Sequence, residues 1–226
     1  MTTRAFVSLS GGIDSTTCLA IAIQAHGKEN VETFSFDYGQ RHLKELDCAT
    51  AICAHYGVKN TVLQLGQQPS SNLTDPEGDI PKVSYAELGE GISPSYHHYR
   101  NGQFLSVMAT HAVAALKGTD TGILYIGVHA EDAENWAYAD CTPEFIGAQA
   151  NAIFIGTYQK IRLKAPLLEM SKIEVVDKGM VLGAPLDLSW SCYLGGEMHC
   201  GECPTCRARK QAFTEAGIID PTVYAK

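Results

Sequence analysis

The sequence predicts an α/β fold: a doubly wound, mostly parallel sheet, followed by a small cysteine-rich module at the C-terminal end. Three observations predict it. Short apolar runs alternate with segments of helical spacing, which is typical of parallel sheets with helical crossover connections. A glycine-rich turn joins the first apolar run to the first helical segment. Four of the eight cysteines are crowded into residues 192–206.

The elements follow one another in a regular order. Five apolar runs are predicted as strands: 5–7, 31–36, 60–65, 122–128 and 161–167. Five segments are predicted as helices from the spacing of their apolar residues: 17–23, 41–56, 104–117, 143–156 and 172–182. Pro143 suits the first turn of its helix, and Ser171 with Glu174 predicts a capping box before the last one.

Residues from about 66 to 101 interrupt this alternation. They are rich in Pro, Gly, Ser, Asn and Asp and are longer than an ordinary connection. Long loops of this kind are commonly functional, so we predict a lid over the site; a variable surface insertion is the alternative. The chain is thus expected to consist of a main domain, 1–185, which carries this insertion, and a C-terminal module, 186–226.

Composition excludes several classes of protein. The chain has 226 residues, of which 45% are hydrophobic and 19% charged, as in ordinary globular proteins. A net charge of −8 argues against direct binding of nucleic acid. No apolar run approaches the length of a membrane helix, and Met1 leads directly into the first strand without a signal-peptide pattern. We therefore expect a cytoplasmic protein whose cysteines are thiols or metal ligands.

The glycine-rich turn reads Ser-Gly-Gly-Ile-Asp-Ser-Thr over residues 10–16. A strand, such a turn and a helix N-terminus together form a ready anion site, because the first amides of the helix lack partners within it. The glycines let the backbone approach a phosphate, and the hydroxyl groups add donors. The turn lacks the lysine of a Walker loop and instead resembles the SGGxDS loop of ATP pyrophosphatases. A tight turn without a ligand is the alternative.

The crowded cysteines have the spacing Cys192-x7-Cys200-x2-Cys203-x2-Cys206. Two overlapping C-x2-C units and a fourth thiol predict a tetrahedral zinc site. An iron–sulfur cluster is the competing interpretation, but no Cys-Pro follows and there is only one set of four cysteines. Four thiolates leave no open coordination position on the zinc, so we expect the ion to be structural and to hold the C-terminal segment in place.

Other cysteines and a histidine pair are less informative. Three cysteines on helical segments are predicted to be small core residues: Cys18, Cys48 and Cys53. Cys141 lies in a loop after a buried strand, where it could touch a ligand, although a nucleophilic role is not favoured. His97 and His98 could be catalytic or metal-binding, but a loop pair of this kind is expected to face solvent.

The phosphate loop combined with the cysteine module resembles one family, QueC (ExsB), the 7-cyano-7-deazaguanine synthases of queuosine biosynthesis. The likeness covers nearly the whole chain. The matching segments are 9–19, 36–42, 100–106, 139–141, 166–167, 171–172, 190–193 and 220–221. This resemblance implies a sheet of the adenine nucleotide alpha hydrolase (PP-loop) type with a small C-terminal zinc module. It also implies a homodimer.

The resemblance implies a ligase reaction. The substrates would be 7-carboxy-7-deazaguanine, ammonia and ATP with Mg²⁺, and the acid would be adenylated before ammonia converts it to an amide. A second ATP would activate the amide, and loss of AMP would leave the nitrile. Residues 97–99 and Ala139 depart from the family pattern in loops expected near the substrate. An enzyme that stops at the amide is therefore one alternative, and a non-catalytic or defence-associated nucleotide-binding protein is another.

The resemblance also suggests roles for individual residues. Nucleotide contacts are expected from Leu9, Ser10, Gly11, Gly12, Ile13, Asp14, Ser15, Thr16, Thr17, Cys18 and Leu19, and from Phe36 and Tyr38 at the end of the second strand. Asp14 would meet Mg²⁺ or the ribose. Lys164 and Lys172 would neutralise phosphate charge, and Arg100 would clamp the substrate carboxylate or a phosphate.

Overall fold

The computed structural model confirms the predicted doubly wound sheet. It describes residues 2–41, 43–66, 68–75, 77–85, 87 and 91–226. The strands are β1 (Thr3–Ser8), β2 (Val31–Asp37), β3 (Lys59–Gln64), β4 (Thr121–Tyr125) and β5 (Ile161–Lys164). They form one five-stranded sheet of order β3-β2-β1-β4-β5, and every neighbouring pair is parallel.

Helices connect the strands and cover both faces of the sheet. They are α1 (Ile13–His26), α2 (Lys44–Tyr56), α3 (Arg100–Ala115), α4 (Ala130–Ala133), α5 (Pro143–Gly156), α6 (Lys172–Val181) and α7 (Pro204–Glu215). The five predicted helices are confirmed, α5 with the predicted ends and the other four with shifted ends, whereas α4 and α7 were not predicted. The last two strands end earlier than predicted, at Tyr125 and Lys164. Pro166 has no amide for a strand ladder, which limits the extent of β5.

Alternating side chains of the strands divide the core into two layers. Ala5 and Val7 of β1 pack with α1, α2 and α6 on one face of the sheet. Phe6 points to the other face and packs with Phe34, Leu124 and residues of α3 and α5. A central parallel strand that is buried on both faces reads as a continuous apolar run, which is why the sequence located β1 and β4.

The chain reverses its direction of winding between β1 and β4. It proceeds from β1 through β2 to β3 on one side and then returns to place β4 and β5 on the other. In such sheets the crossover helices diverge at the reversal and leave a crevice beyond the carboxyl ends of the strands. The glycine-rich turn follows β1, and residues 126–129 follow β4, so both segments meet at this crevice.

The C-terminal segment and the insertion both pack onto this framework. Phe213 of α7 belongs to the same apolar core as α1 and α6. Leu73 and Ile80 of the insertion are buried against Trp190 and the crowded cysteines. The boundary at residue 185 and the extent of the lid stay predictions, and six residues of the predicted lid lie outside the described part: 67, 76, 86 and 88–90. None of the described helices is long and apolar enough to cross a membrane.

Candidate active site

A cavity of about 720 Å³ occupies the crevice at the carboxyl ends of β1, β2 and β4. Its floor is the glycine-rich turn and the first residues of α1. Its walls come from the end of β2, the start of α3, the segment after β4, the start of α6, residues 190–193 and parts of the insertion. A site of this size at a topological switch point suits a nucleotide together with a small second substrate.

The glycine-rich turn presents an open helix end to the cavity. Gly12 is the N-cap of α1, and no side chain caps the helix there, so the first-turn amides are left for a ligand. Thr16 Oγ1 donates to the carbonyl oxygen of Gly12 over 2.7 Å, and Ser15 Oγ lies 3.1 Å from Ser10 Oγ. These hydroxyl bonds hold the turn in a shape that suits an anion.

Gly11 explains why the turn requires glycine. Its φ of +87° is in the left-handed region, and a Cβ atom there would lie 2.5 Å from the carbonyl oxygen of Glu45. A side chain at this position would therefore displace the turn from α2.

A charged cluster lies beside the turn. The Nζ atom of Lys172 donates to both carboxylate oxygens of Asp14, at 2.6 and 2.7 Å, and lies 3.3 Å from His129 Nε2. Asp132 Oδ1 is 3.5 Å from the same nitrogen of His129. Burial alone would raise the pKa of Asp14, but the charges of Lys172 and His129 outweigh it and hold the pKa below its ordinary value. Burial raises the pKa of Asp132.

Tight backbone packing brings this cluster together. Gly127 follows β4 so closely against the turn that a Cβ atom would lie 2.8 Å from the backbone of Asp14. The predicted capping box starts α6: Glu174 N donates to Ser171 Oγ over 3.3 Å, and Ser171 N donates to Glu174 Oε2 over 2.7 Å. Because α6 begins at this point, Lys172 faces the turn from its first position.

Arg100 opens α3 on the opposite wall. Its Nη1 donates to the hydroxyl of Tyr38 over 3.0 Å, and its guanidinium lies 5.5 Å from the Tyr38 ring centroid. Asp140 Oδ2 accepts from the backbone amide of Asn101 over 2.8 Å, so the buried carboxylate caps the first turn of α3. Arg100 is thereby held as a fixed cation that a carboxylate or phosphate could reach.

The remaining wall is aromatic. The rings of Phe36 and Phe104 are stacked, with their centroids 4.1 Å apart and an angle of 3° between their planes. The hydroxyls of Tyr85 and Tyr193 lie 3.4 Å apart, and that of Tyr138 lies 2.6 Å from Ser95 Oγ. Flat apolar faces edged by hydroxyl groups suit planar heterocycles that also carry hydrogen-bonding groups.

The four crowded cysteines meet at one point behind this wall. The Sγ atoms of Cys192, Cys200, Cys203 and Cys206 all lie within 4.8 Å of one another. Those of Cys200 and Cys206 are 3.9 Å apart, close to the spacing of about 3.8 Å that a tetrahedron with Zn–S bonds of about 2.3 Å requires. The amides of Cys203 and Glu202 donate to Cys200 Sγ over 3.2 and 3.3 Å. The cluster could therefore hold a metal ion, and its geometry fits zinc.

Ten of the sixteen residues predicted to bind nucleotide or to act in catalysis line the cavity. They are Leu9, Ser10, Gly12, Ile13, Asp14, Ser15, Phe36, Tyr38, Arg100 and Lys172. Others lie beneath its floor: Thr16, Thr17, Cys18 and Leu19 are buried and do not line it. Gly11 also lies behind the lining, pressed against α2.

Two predicted placements differ from the structure. Lys164 does not line the cavity, and its Nζ lies 5.9 Å from the ring centroid of Tyr125. The expectation that His97 faces solvent is wrong. Its ring is buried, with Nδ1 2.8 Å from Ser71 Oγ, and burial lowers its pKa; His98 is exposed.

Sequence analysis missed several residues that line the cavity, namely His129, Asp132 and Tyr85. A signal for two of them was present. His129 and Asp132 directly follow a buried strand, and the carboxyl ends of neighbouring parallel strands meet at one edge of the sheet. Tyr85 had no comparable signal, because it lies in the insertion.

Comparisons with known proteins match almost the whole chain to one family. The family described as queuosine biosynthesis protein QueC matches residues 4–217. The chain is 39% identical to the 7-cyano-7-deazaguanine synthase of Thermoplasma volcanium, which covers 100% of this chain and 92% of the relative. It is 40% identical to the enzyme of the same name from Oceanobacillus iheyensis, with 98% of each chain covered. It is 39% identical to the 7-cyano-7-deazaguanine synthase of Nostoc punctiforme, and the alignment covers 98% of this chain and 100% of the relative.

Proposed function

The chain belongs to the queuosine biosynthesis protein QueC family, and from this premise we propose that it is an ATP-dependent ligase, a 7-cyano-7-deazaguanine synthase. It converts 7-carboxy-7-deazaguanine and ammonia to the nitrile and releases AMP and pyrophosphate. The observation that carries the proposal is that an uncapped helix N-terminus behind an SGGIDS turn opens into the same cavity as Arg100. One wall of that cavity is built by residues next to the cysteine cluster.

The first half-reaction activates the acid. A carboxylate oxygen of the substrate attacks the α-phosphorus of ATP, the bond to the β-phosphate oxygen breaks, and pyrophosphate leaves. Ser10, Gly12 and Ser15 hold the departing pyrophosphate at the N-terminus of α1. Lys172 supplies positive charge to the phosphate in transfer, and Arg100 holds the substrate carboxylate. Ammonia then attacks the acyl carbon, AMP leaves with the carboxylate oxygen, and a proton is released.

The second half-reaction dehydrates the amide by the same chemistry. The amide oxygen attacks the α-phosphorus of a second ATP, and pyrophosphate leaves again. The nitrogen then loses its two protons as the C–O bond breaks, so that AMP departs with the oxygen and the nitrile remains. The aromatic wall of Phe104, Tyr138 and Tyr193 holds the heterocycle in place between the two rounds. The names of the relatives do not favour the alternative of an enzyme that stops at the amide.

Two metal ions belong to the proposal. Mg²⁺ bound with ATP would neutralise phosphate charge, and Asp14 is the carboxylate of the turn that can meet it. Zinc held by Cys192, Cys200, Cys203 and Cys206 would be structural, since four thiolates leave no position for a reacting water. We further propose that the protein acts as a cytoplasmic homodimer without direct contact to nucleic acid, in keeping with its net charge of −8.

The proposal is tested by following AMP and pyrophosphate. The purified protein is incubated with ATP, Mg²⁺, ammonium and 7-carboxy-7-deazaguanine, and each component is omitted in turn. We expect AMP and pyrophosphate in equal amounts, with release that requires the acid. Release without the acid, or none with every component present, would favour a nucleotide-binding protein of another function.

A further inference from the structure

The cysteine cluster and the phosphate-binding turn are joined through one residue, Trp190. Its backbone amide donates to the carbonyl oxygen of Gly11 over 2.8 Å. Its indole Nε1 donates to the carbonyl oxygen of Cys192, also over 2.8 Å. The indole ring packs on His199 at a centroid distance of 4.1 Å, and only 5% of the residue is exposed. Trp190 is therefore fixed at one end by the cluster and at the other by the turn.

On the side of the turn, the hydrogen bond from Trp190 N to the Gly11 carbonyl sets the direction of the Gly12 amide. The C=O and N–H groups of a trans peptide point in opposite directions within one plane. When the carbonyl of Gly11 points to Trp190, the N–H of Gly12 must point away from it. Gly12 N donates to Ser10 Oγ over 3.3 Å, and both residues line the cavity. Trp190 thus fixes the orientation of the Gly11–Gly12 peptide at the floor of the cavity, next to the position proposed for the phosphates.

On the side of the cluster, the position of Trp190 depends on the four cysteines. Cys192, Cys203 and Cys206 are fully buried and pack in the same small apolar core as Trp190. Four thiolates in such an environment repel one another unless a cation holds them, so metal binding and local folding are coupled at sites of this kind. Loss of the ion is expected to release the Cys192 carbonyl, which is the anchor of the indole.

We propose that Trp190 is a positioning residue that couples the cysteine cluster to the phosphate-binding turn, so that a metal ion in the cluster raises the affinity of the turn for nucleotide. The coupling rests on the proposed function, because it requires that the turn binds ATP. Thermodynamic linkage makes it reciprocal: bound nucleotide raises the affinity of the cluster for its metal by the same factor. Couplings between linked sites are typically about 5- to 150-fold, and we expect a change of about tenfold.

The chain contains only two tryptophans, which allows a direct test. In a Trp136→Phe variant, Trp190 is the only tryptophan and reports on both sites; Trp136 is 65% exposed and does not line the cavity. The non-cleavable analogue α,β-methylene-ATP with Mg²⁺ is titrated into zinc-loaded protein, into protein treated with a chelator, and into protein to which zinc is returned. We expect the Kd to rise about tenfold without zinc and to recover with it. Competition with a chromophoric chelator should show the reciprocal gain in zinc affinity.

A second variant covers the case in which the chelated chain unfolds. Trp190→Phe keeps an aromatic ring and the backbone amide but loses the bond to Cys192. With a full complement of zinc, it should bind the analogue about tenfold more weakly by calorimetry, whereas Trp136→Phe should match the wild type. An unchanged Kd in Trp190→Phe, or in chelated protein with native circular dichroism, overturns the coupling. No binding by zinc-loaded wild type contradicts the proposed function itself.

Discussion

Lys172 Nζ lies 2.6 Å from Asp14 Oδ1, although 158 residues separate the two in sequence. The pair joins the first turn of α6 to the first turn of α1 at the crevice between β1 and β4. The ammonium group of Lys172 is thus held by a carboxylate of the phosphate-binding turn. Nucleotide phosphates would compete for the same ammonium, which leaves the Asp14 carboxylate available to a divalent cation.

Replacing Lys172 by alanine should abolish most of the activity. The variant loses a fixed positive charge from the site where phosphate is transferred, and loss of one such group commonly reduces kcat by about 10²- to 10³-fold. AMP formation under saturating substrates measures this effect. Lys178→Ala, on the same helix, is the matched control and should retain the wild-type rate. A rate for Lys172→Ala within about twofold of wild type would remove Lys172 from the mechanism.

The Asp14–Lys172 pair should also give stability a recognisable pH dependence. The pKa of Asp14 is below its ordinary value of 3.8, so the pair contributes stability above that pH and loses it as pH falls through the lowered pKa. We expect Asp14→Asn to have a lower Tm than the wild type near pH 6. The difference between the two should shrink progressively below pH 3.8. A difference that stays constant over this range would mean that the pair does not set the pKa.

Arg100→Lys should separate substrate binding from nucleotide binding. A lysine keeps the charge but cannot hold a carboxylate through two parallel hydrogen bonds. We expect the KM for 7-carboxy-7-deazaguanine to rise about tenfold or more, with little change in the KM for ATP. Arg162→Lys is the control, because its guanidinium lies over the Phe154 ring, away from the cavity. A selective rise in the KM for ATP would assign Arg100 to a phosphate instead.

Gly11→Ala should impair nucleotide binding for a steric reason. Its Cβ would lie 2.5 Å from the carbonyl oxygen of Glu45. Gly183→Ala is a matched control, because Gly183 also has a positive φ, of +65°, but a Cβ there would meet nothing within 4 Å. Both variants should lose about 1 kcal/mol or more of stability from backbone strain. Only Gly11→Ala should bind α,β-methylene-ATP more weakly, and equal Kd values for the two variants would contradict this explanation.

The fold could be predicted largely because its local signals agree with its topology. Apolar runs located all five strands, and Ser171 with Glu174 located the start of α6. Helix α7 was missed although Cys206, Arg209 and Phe213 are buried on one face of it. Its apolar residues are few and one of its buried positions is an arginine, which pairs with Asp220 over 3.2 Å. Burial of a charged residue depends on a distant partner and leaves no periodic apolar signal.

The site could be predicted in part. The turn and the cysteines carry local motifs, so the sequence and its family resemblance could single out their residues. Lys172 and Lys164 could not be distinguished, because only the sheet and α6 decide which lysine reaches the turn. His97 was misjudged because its burial depends on Ser71, which lies in an insertion without periodicity. The link from Trp190 to Gly11 joins residues far apart in sequence through a backbone amide, which no side-chain pattern reveals.

The most direct test of the proposed synthase is mass spectrometry of its product. The protein is incubated with 7-carboxy-7-deazaguanine, ammonium, Mg²⁺ and excess ATP, and the product and AMP are quantified together. We expect the nitrile, 7-cyano-7-deazaguanine, with two AMP released for each molecule formed. Accumulation of the amide with a single AMP would contradict this, and would make the protein an amide synthase whose loops at 97–99 and Ala139 do not support the second activation.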